Sequence, residues 1–371
     1  MTSTTGARPA RTGTALLGIA ILMSACASNL GTEPREAPQV DDAPFARLAP
    51  CGEQPFVAVF RGFTAEGERV EGTGSSPSSD IYGVRPDGSV SPVTTDLGSY
   101  EFGIAADAAT IYASPAAAGE SSAARTPAAD RVVAIAPDGG RTTIVLEAPD
   151  VGDVAPAPDG SRLGLTVFTV GEQPGTGSSA PALVDLPAAA APRALAPMTT
   201  ARRAEPAVAA TRELTWSPDG QRLAFVATLP DATQEVQVAD AATGASATVH
   251  RADASTALLS LDWSPDGTRL LTVEGRAPTP SGTPRDRVVE IDLATGRSEI
   301  VLRGVRGDLV YSAADGSRVT MLDNGSQSSP VARTWSRTAG GRFVATSAAE
   351  VGADLGLVSA DRLDIPRCAL S

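Results

Sequence analysis

One histidine, three cysteines and a complete absence of lysine bound the chemistry open to this 371-residue chain. His250 stands alone, so a metal site built on several histidines is excluded. Any Ser–His–acid relay would have to run through it, at the end of an expected strand. No Gly-x-Ser-x-Gly elbow occurs, and the glycine-rich run at Gly72 sits in a loop with no helix after it, so it is not a dinucleotide fingerprint. Asn324-Gly325-Ser326 has the form of a glycosylation sequon and reads as a turn. Asp150 and Asp153 are near neighbours of the kind that glycosidic chemistry uses in pairs about 5–10 Å apart. They fall, however, where a connection between structural units is expected, and nothing marks them further. A Ca²⁺ site among loop carboxylates is left open. The sequence predicts no catalytic constellation, no metal ligands and no cofactor, and hence a protein that is not an enzyme.

The elements that would position any site come from repetition. WSPDGQRLAF, from Trp216 to Phe225, is written again as WSPDGTRLLT from Trp263. Proline presets the first turn position, aspartate bonds local backbone and glycine takes positive φ, so Asp219-Gly220 and Asp266-Gly267 each mark a tight turn between two short apolar strands. Looser copies turn at Asp107, Asp159 and Asp315, giving steps of 52, 60, 47 and 49 residues through the five aspartates. An arginine follows three places later in four copies (Arg162, Arg222, Arg269 and Arg318) and is read as clamping its own turn with the aspartate. A second hairpin lies between these copies, clearest in Val236–His250 and Val288–Leu302. Four short strands in about fifty residues predict an all-β propeller, whose four-stranded blades must cover one another's faces. Trp216 and Trp263 are expected to wedge between blades.

The WSPDGxRL pattern, followed by a Val-rich strand ending in D-x-x-T-G, resembles the propeller repeat of TolB-like proteins, a repeat also carried by the propellers of prolyl oligopeptidase-type peptidases. The resemblance covers about residues 52 to 366. It implies a fold and a habit of binding other molecules, not a reaction. The α/β domain of TolB and the hydrolase domain of those peptidases find no room in this chain.

Thr14–Ala25 is an apolar run of twelve behind Arg8 and Arg11, too short to cross a bilayer core of ~30 Å, and it has the layout of a secretory leader. Leu22-Met23-Ser24-Ala25-Cys26 resembles a bacterial lipoprotein signal, which implies lipidation of Cys26 and an anchor on the outer face of the cell membrane. The domain reading is therefore a signal peptide over 1–25, a flexible tether over 26–50 and the propeller over 51–371. Second-hairpin turns near 87, 138, 188, 243, 295 and 340 predict six blades, or seven if Trp335 starts a unit of its own. Leu355–Ile365 is left over at the C-terminal end and is expected to complete blade one. Cys51 and Cys368 then lie at the seam of the ring, and in an exported protein they are expected to form a disulfide rather than remain two free thiols.

The thirty basic residues are all arginine, pointing to a GC-rich genome of actinobacterial type. The net charge of −13 becomes −15 once Arg8 and Arg11 leave with the leader, which argues against nucleic acid and anionic lipid as partners. Connections between second and third strands are long and rich in small residues (61–79, 113–130, 168–180 and 274–287), and loops over a rigid scaffold are where binding usually resides. The expected function is a monomeric, membrane-anchored scaffold for a protein or peptide at the cell envelope. The alternative is a hydrolase or lyase acting on an envelope sugar or peptide through loop carboxylates.

Overall fold

The computed structural model describes residues 44–45, 47–50, 55–64, 78–95, 100–104, 110–115, 129–136, 142–170, 176–187, 191–195, 199–202, 212–229, 231–276, 286–305, 307–323, 329–367 and 370. The leader, Cys26, Cys51, Cys368, the Asp107 turn, the Gly72 loop and the Asn324 sequon lie outside them.

The strands follow the hairpin repeat. β1 (Ala58–Thr64), β2 (Ser78–Val84) and β3 (Val90–Pro92) belong to blade 1. Blade 2 takes β4 (Tyr100–Ile104), β5 (Ile111–Pro115), β6 (Ala129–Ile135) and the first half of β7 (Thr142–Pro156). That strand runs on without a break, its second half opening blade 3 with β8 (Arg162–Val170), β9 (Thr176–Asp185), β10 (Arg193–Ala194) and β11 (Thr199–Arg202). Blade 4 is β12 (Arg212–Trp216), β13 (Arg222–Thr228), β14 (Gln234–Asp240) and β15 (Ser246–Arg251). Blade 5 is β16 (Thr256–Trp263), β17 (Arg269–Arg276), β18 (Arg287–Asp292) and β19 (Ser298–Arg303). Blade 6 is β20 (Asp308–Tyr311), β21 (Arg318–Asp323), β22 (Val331–Arg337) and β23 (Phe343–Glu350). β24 (Leu357–Asp364) then pairs antiparallel with β1, so blade 1 has the order β24-β1-β2-β3.

Six blades result, and the C-terminal segment supplies the innermost strand of the first. The loosely matched stretch around Trp335 is the second hairpin of blade 6, not the start of a seventh unit.

Strand alternation explains why the ring is stable. Leu223, Phe225 and Ala227 of β13 face a cluster shared with Ala155 and Leu183 of blade 3. Ala224 and Val226, the intervening residues, join Leu258, Trp263 and Leu270 of blade 5. A central strand thus buries both faces, each against a different neighbour, and the hydrophobic cores lie in the seams between blades. Similar clusters occupy the seam of blades 5 and 6, around Tyr311 and Met321, and the seam of blades 2 and 3, around Leu163 and Val184. The ring also begins earlier than residue 51. Phe45 and Leu48, within the segment expected to be a tether, are buried in the core around blade 1.

Candidate functional site

The innermost strands of all six blades line a channel along the propeller axis. A cavity of about 120 Å³ opens near the tight-turn end, bounded by residues such as Ala155, Thr215, Asp262, Asp308 and Arg367. Part of its charge comes from acids that tie three of the blades to the next. Asp153 on β7 accepts a 2.8 Å hydrogen bond from the Glu213 N–H of blade 4. Asp262 on β16 accepts one of 2.8 Å from the Tyr311 N–H of blade 6. Asp308 on β20 accepts one from the Arg362 N–H of β24. Two of the donors turn toward their acids because their backbones are left-handed, Glu213 at φ 61° and Arg362 at φ 56°. Both lie where the strand register slips, and a bulge of this kind re-aims backbone and side chain at a local price in strain of about 1–3 kcal/mol.

The C-terminal strand also sends its cations across the axis. Arg362 reaches Asp153 of blade 3 at 3.0 Å, and Arg367 reaches Asp262 of blade 5 at 2.9 Å. Burial pushes the Asp262 carboxyl above the usual carboxylate range, against the Arg367 charge and the N–H groups of Tyr311 and Trp263. Asp153, placed by the sequence in a connection of no consequence, is therefore buried in a continuous strand and holds together blades 3, 4 and 1. Sequence gave no signal for it, because its ion partner lies 209 residues away. Among the described residues no group of three or more His, Cys, Asp or Glu side chains is placed to hold a metal ion.

The repeat residues sit on the tight-turn face. Asp219 accepts from Ser217 Oγ at 2.5 Å and from the Gln221 N–H at 3.0 Å, and Asp266 repeats this with Ser264 at 2.5 Å and Thr268 at 3.0 Å. Asp159 and Asp315 hold Ser161 and Ser317 in the same way. Gly220 at φ 65° and Gly267 at φ 70° supply the left-handed residue of each turn. Trp216 donates to the Ala155 carbonyl of blade 3 at 2.8 Å, and Trp263 to the Thr215 carbonyl of blade 4 at 3.0 Å. Both indoles are wedged in seams.

Two of the four arginines do something other than the turn clamp expected of them. Arg162 leaves its own turn, lies 5.1 Å over the Trp216 ring and donates to the Gly220 carbonyl of blade 4 at 2.7 Å. Arg222 lies 4.7 Å over Trp263 and donates to the Gly267 carbonyl of blade 5 at 3.0 Å. Arg269 alone of these three stays near its own aspartate, 3.5 Å from Asp266, and also approaches Glu290 at 3.4 Å. Arg318 is buried in blade 6. The reason is geometric: side chains of a second strand project into the seam, so the guanidinium meets the following blade before it can fold back. Aspartate clamps the turn, and Arg162 and Arg222 latch one turn to the next.

The sequence matches no protein-family model and no curated protein. Solved structures match through shape. TolB from Acinetobacter baumannii superposes with a TM-score of 0.58 at 13% identity, over 83% of this chain and 66% of that one. This chain thus spans just under two thirds of that protein's length. Oligogalacturonate lyase from Vibrio parahaemolyticus gives 0.50 at 12% identity, over 71% of this chain and 73% of its own. A Bacteroides uniformis protein assigned as a 6-phosphogluconolactonase gives 0.50 at 13%, over 80% and 83%. With its blades, latches and ring closure in place, the chain has the β-propeller fold that TolB carries.

Proposed function

We propose that the chain is a propeller lipid-anchored on the outer face of the cell membrane that holds a protein or peptide partner of the cell envelope. The observation that carries this reading is the commitment of the channel's charged groups to the ring itself. Asp153 is engaged by Arg362, and Asp262 by Arg367, so neither stands ready as an acid or base for the alternative, a hydrolase or lyase working through loop carboxylates. The channel cavity of about 120 Å³ is also smaller than the ~300–1,000 Å³ usual for small-molecule sites. A rigid ring with a committed centre leaves its faces for recognition. The anchor rests on Leu22–Cys26 and on the apolar run before it. No helix among the described residues is long and apolar enough to cross a membrane.

Two measurements test the reading. Cys26→Ser is expected to move the protein from the membrane fraction to the medium, and retention at the membrane would overturn the anchor. Photo-crosslinking on intact cells is expected to recover a discrete protein partner. Recovery of lipid alone would overturn the scaffold role.

A further inference from the structure

In four blades the outer strand holds one more residue than its partner opposite, the ladders skipping Val145, Val249, Val301 and Thr346. Such a bulge turns the next side chain toward the seam. That residue is Leu146 in blade 2, Leu302 in blade 5 and Ser347 in blade 6, but in blade 4 it is His250, the chain's one histidine. Across the seam, five places beyond the repeat arginine of blade 5, stands Glu274, where blades 3 and 4 have Val167 and Ala227. The seam of blades 4 and 5 thus sets an imidazole and a carboxylate facing each other, where the seam of blades 2 and 3 has Leu146 and Val167, and blade 6 has Asp323 in the place of Glu274.

His250 Nε2 lies 2.9 Å from Glu274 Oε1, and His250 Nδ1 lies 3.1 Å from Ser298 Oγ on β19. Glu274 is 2% exposed and His250 13%, whereas Ser298 faces solvent. The second oxygen of Glu274 is held by Arg287. Burial works to raise the Glu274 carboxyl, but its hydrogen bonds from His250 and Arg287 and their charges outweigh it and hold the group below the usual range. An ionised carboxylate only accepts, so Nε2 carries an imidazole proton, and in the tautomer with that proton alone Nδ1 accepts from Ser298.

The geometry points to a serine acyl-transfer site on the outer rim of this seam, with Ser298 as nucleophile, His250 as general base, Glu274 as positioning residue and small carboxylic esters as the substrate class. Ser298 Oγ bonds to the ester carbonyl carbon while its proton passes to His250 Nδ1. The bond from that carbon to the leaving oxygen breaks, and the proton leaves with the alcohol. Water, deprotonated by the same nitrogen, then releases the acid and restores the hydroxyl. Glu274 remains ionised throughout and holds Nε2–H.

The chain supplies its own control. Ser246 occupies the matching place in blade 4, is exposed, and among the described residues its hydroxyl meets Gln237 Oε1 at 3.5 Å. The full chain treated with p-nitrophenyl acetate and mapped by peptide mass spectrometry is expected to acylate Ser298 about 100-fold faster than Ser246, the lower end of what a general base contributes. His250→Leu, which installs the residue found at this place in blades 2 and 5, is expected to keep the folded circular-dichroism spectrum and bring Ser298 down to the Ser246 rate. A ratio below tenfold in the unaltered protein overturns the assignment. So does an unchanged Ser298 rate in a folded His250→Leu variant.

Discussion

Arg222 shows how much one residue can do when its reach exceeds its own repeat. Its guanidinium stacks over Trp263 and its N–H groups satisfy the Gly267 carbonyl, so one side chain joins the second strand of blade 4 to the first hairpin of blade 5. Replacing it with methionine keeps the apolar stem but loses the cation–π contact and the charged hydrogen bond. The expected loss is about 1–3 kcal/mol of stability, measurable as a lower urea midpoint with unchanged slope. Asp153 is under heavier demand. Asp153→Ala removes the carboxylate that Arg362 and the Glu213 N–H share inside the channel, so a loss of ~3–5 kcal/mol is expected. Asp153→Asn should lose less, because its amide oxygen can still accept from that N–H. Equal losses in the two variants, again read from urea midpoints, would show that the carboxylate oxygen's hydrogen bond contributes nothing.

At the scale of the hairpin, the turn aspartates make the ring sensitive to acid. Burial tends to raise the Asp266 carboxyl, but Ser264 Oγ, the Thr268 N–H and hydroxyl and the Arg269 charge hold it at about 2. Asp219, Asp159 and Asp315 are lowered chiefly by hydrogen bonds from Ser217, Ser161 and Ser317. A carboxylate depressed in the folded state adds stability that is complete above its unfolded pKa of ~4 and disappears as pH falls through the folded value. The ring should therefore weaken between about pH 4 and pH 2, and Asp266→Asn should flatten that part of the stability curve while lowering the plateau at pH 7. Thermal midpoints measured across the window check both signs. These hairpins were also the legible part of the sequence. Pro-Asp-Gly with alternating apolar flanks writes out a turn and its strands, so element type and blade count could be read locally from residues such as Pro218–Gly220. What joins hairpin to hairpin could not. The Arg222 partner lies 45 residues on and the Arg362 partner 209 away, and no local pattern encodes either separation. His250 was visible as a lone histidine, but Ser298 and Glu274 became its neighbours only through a bulge at Val249 and the stacking of two blades.

The whole molecule depends on where its ends meet. β24 gives blade 1 its innermost strand, and Leu357, Ala360, Leu363 and Ile365 join Phe60, Ile81 and Leu322 in one core that spans blades 6 and 1. The same core takes in Phe45 and Leu48 from the N-terminal side and Leu370 from the C-terminal side. Cys51 and Cys368, outside the described residues, are the two cysteines between which a disulfide is proposed. A loop this long carries ~5 kcal/mol in the chain-entropy model, with native strain to subtract. Non-reducing peptide mapping is expected to join the two cysteines, and alkylation of both as free thiols would remove the staple from the account. A stop after residue 354 tests the deeper dependence. It deletes the strand, both cross-channel arginines and five buried apolar residues, of which Leu357, Leu363, Ile365 and Leu370 are each worth ~2–5 kcal/mol. Against a total stability of ~5–15 kcal/mol, the shortened chain should not close. A synthetic peptide covering residues 355–371, added during refolding, should restore the near-ultraviolet circular dichroism of packed tryptophans by pairing with β1. Native spectra from the truncated chain alone would mean that five complete blades hold without the closing strand, and that the ring is not the cooperative unit.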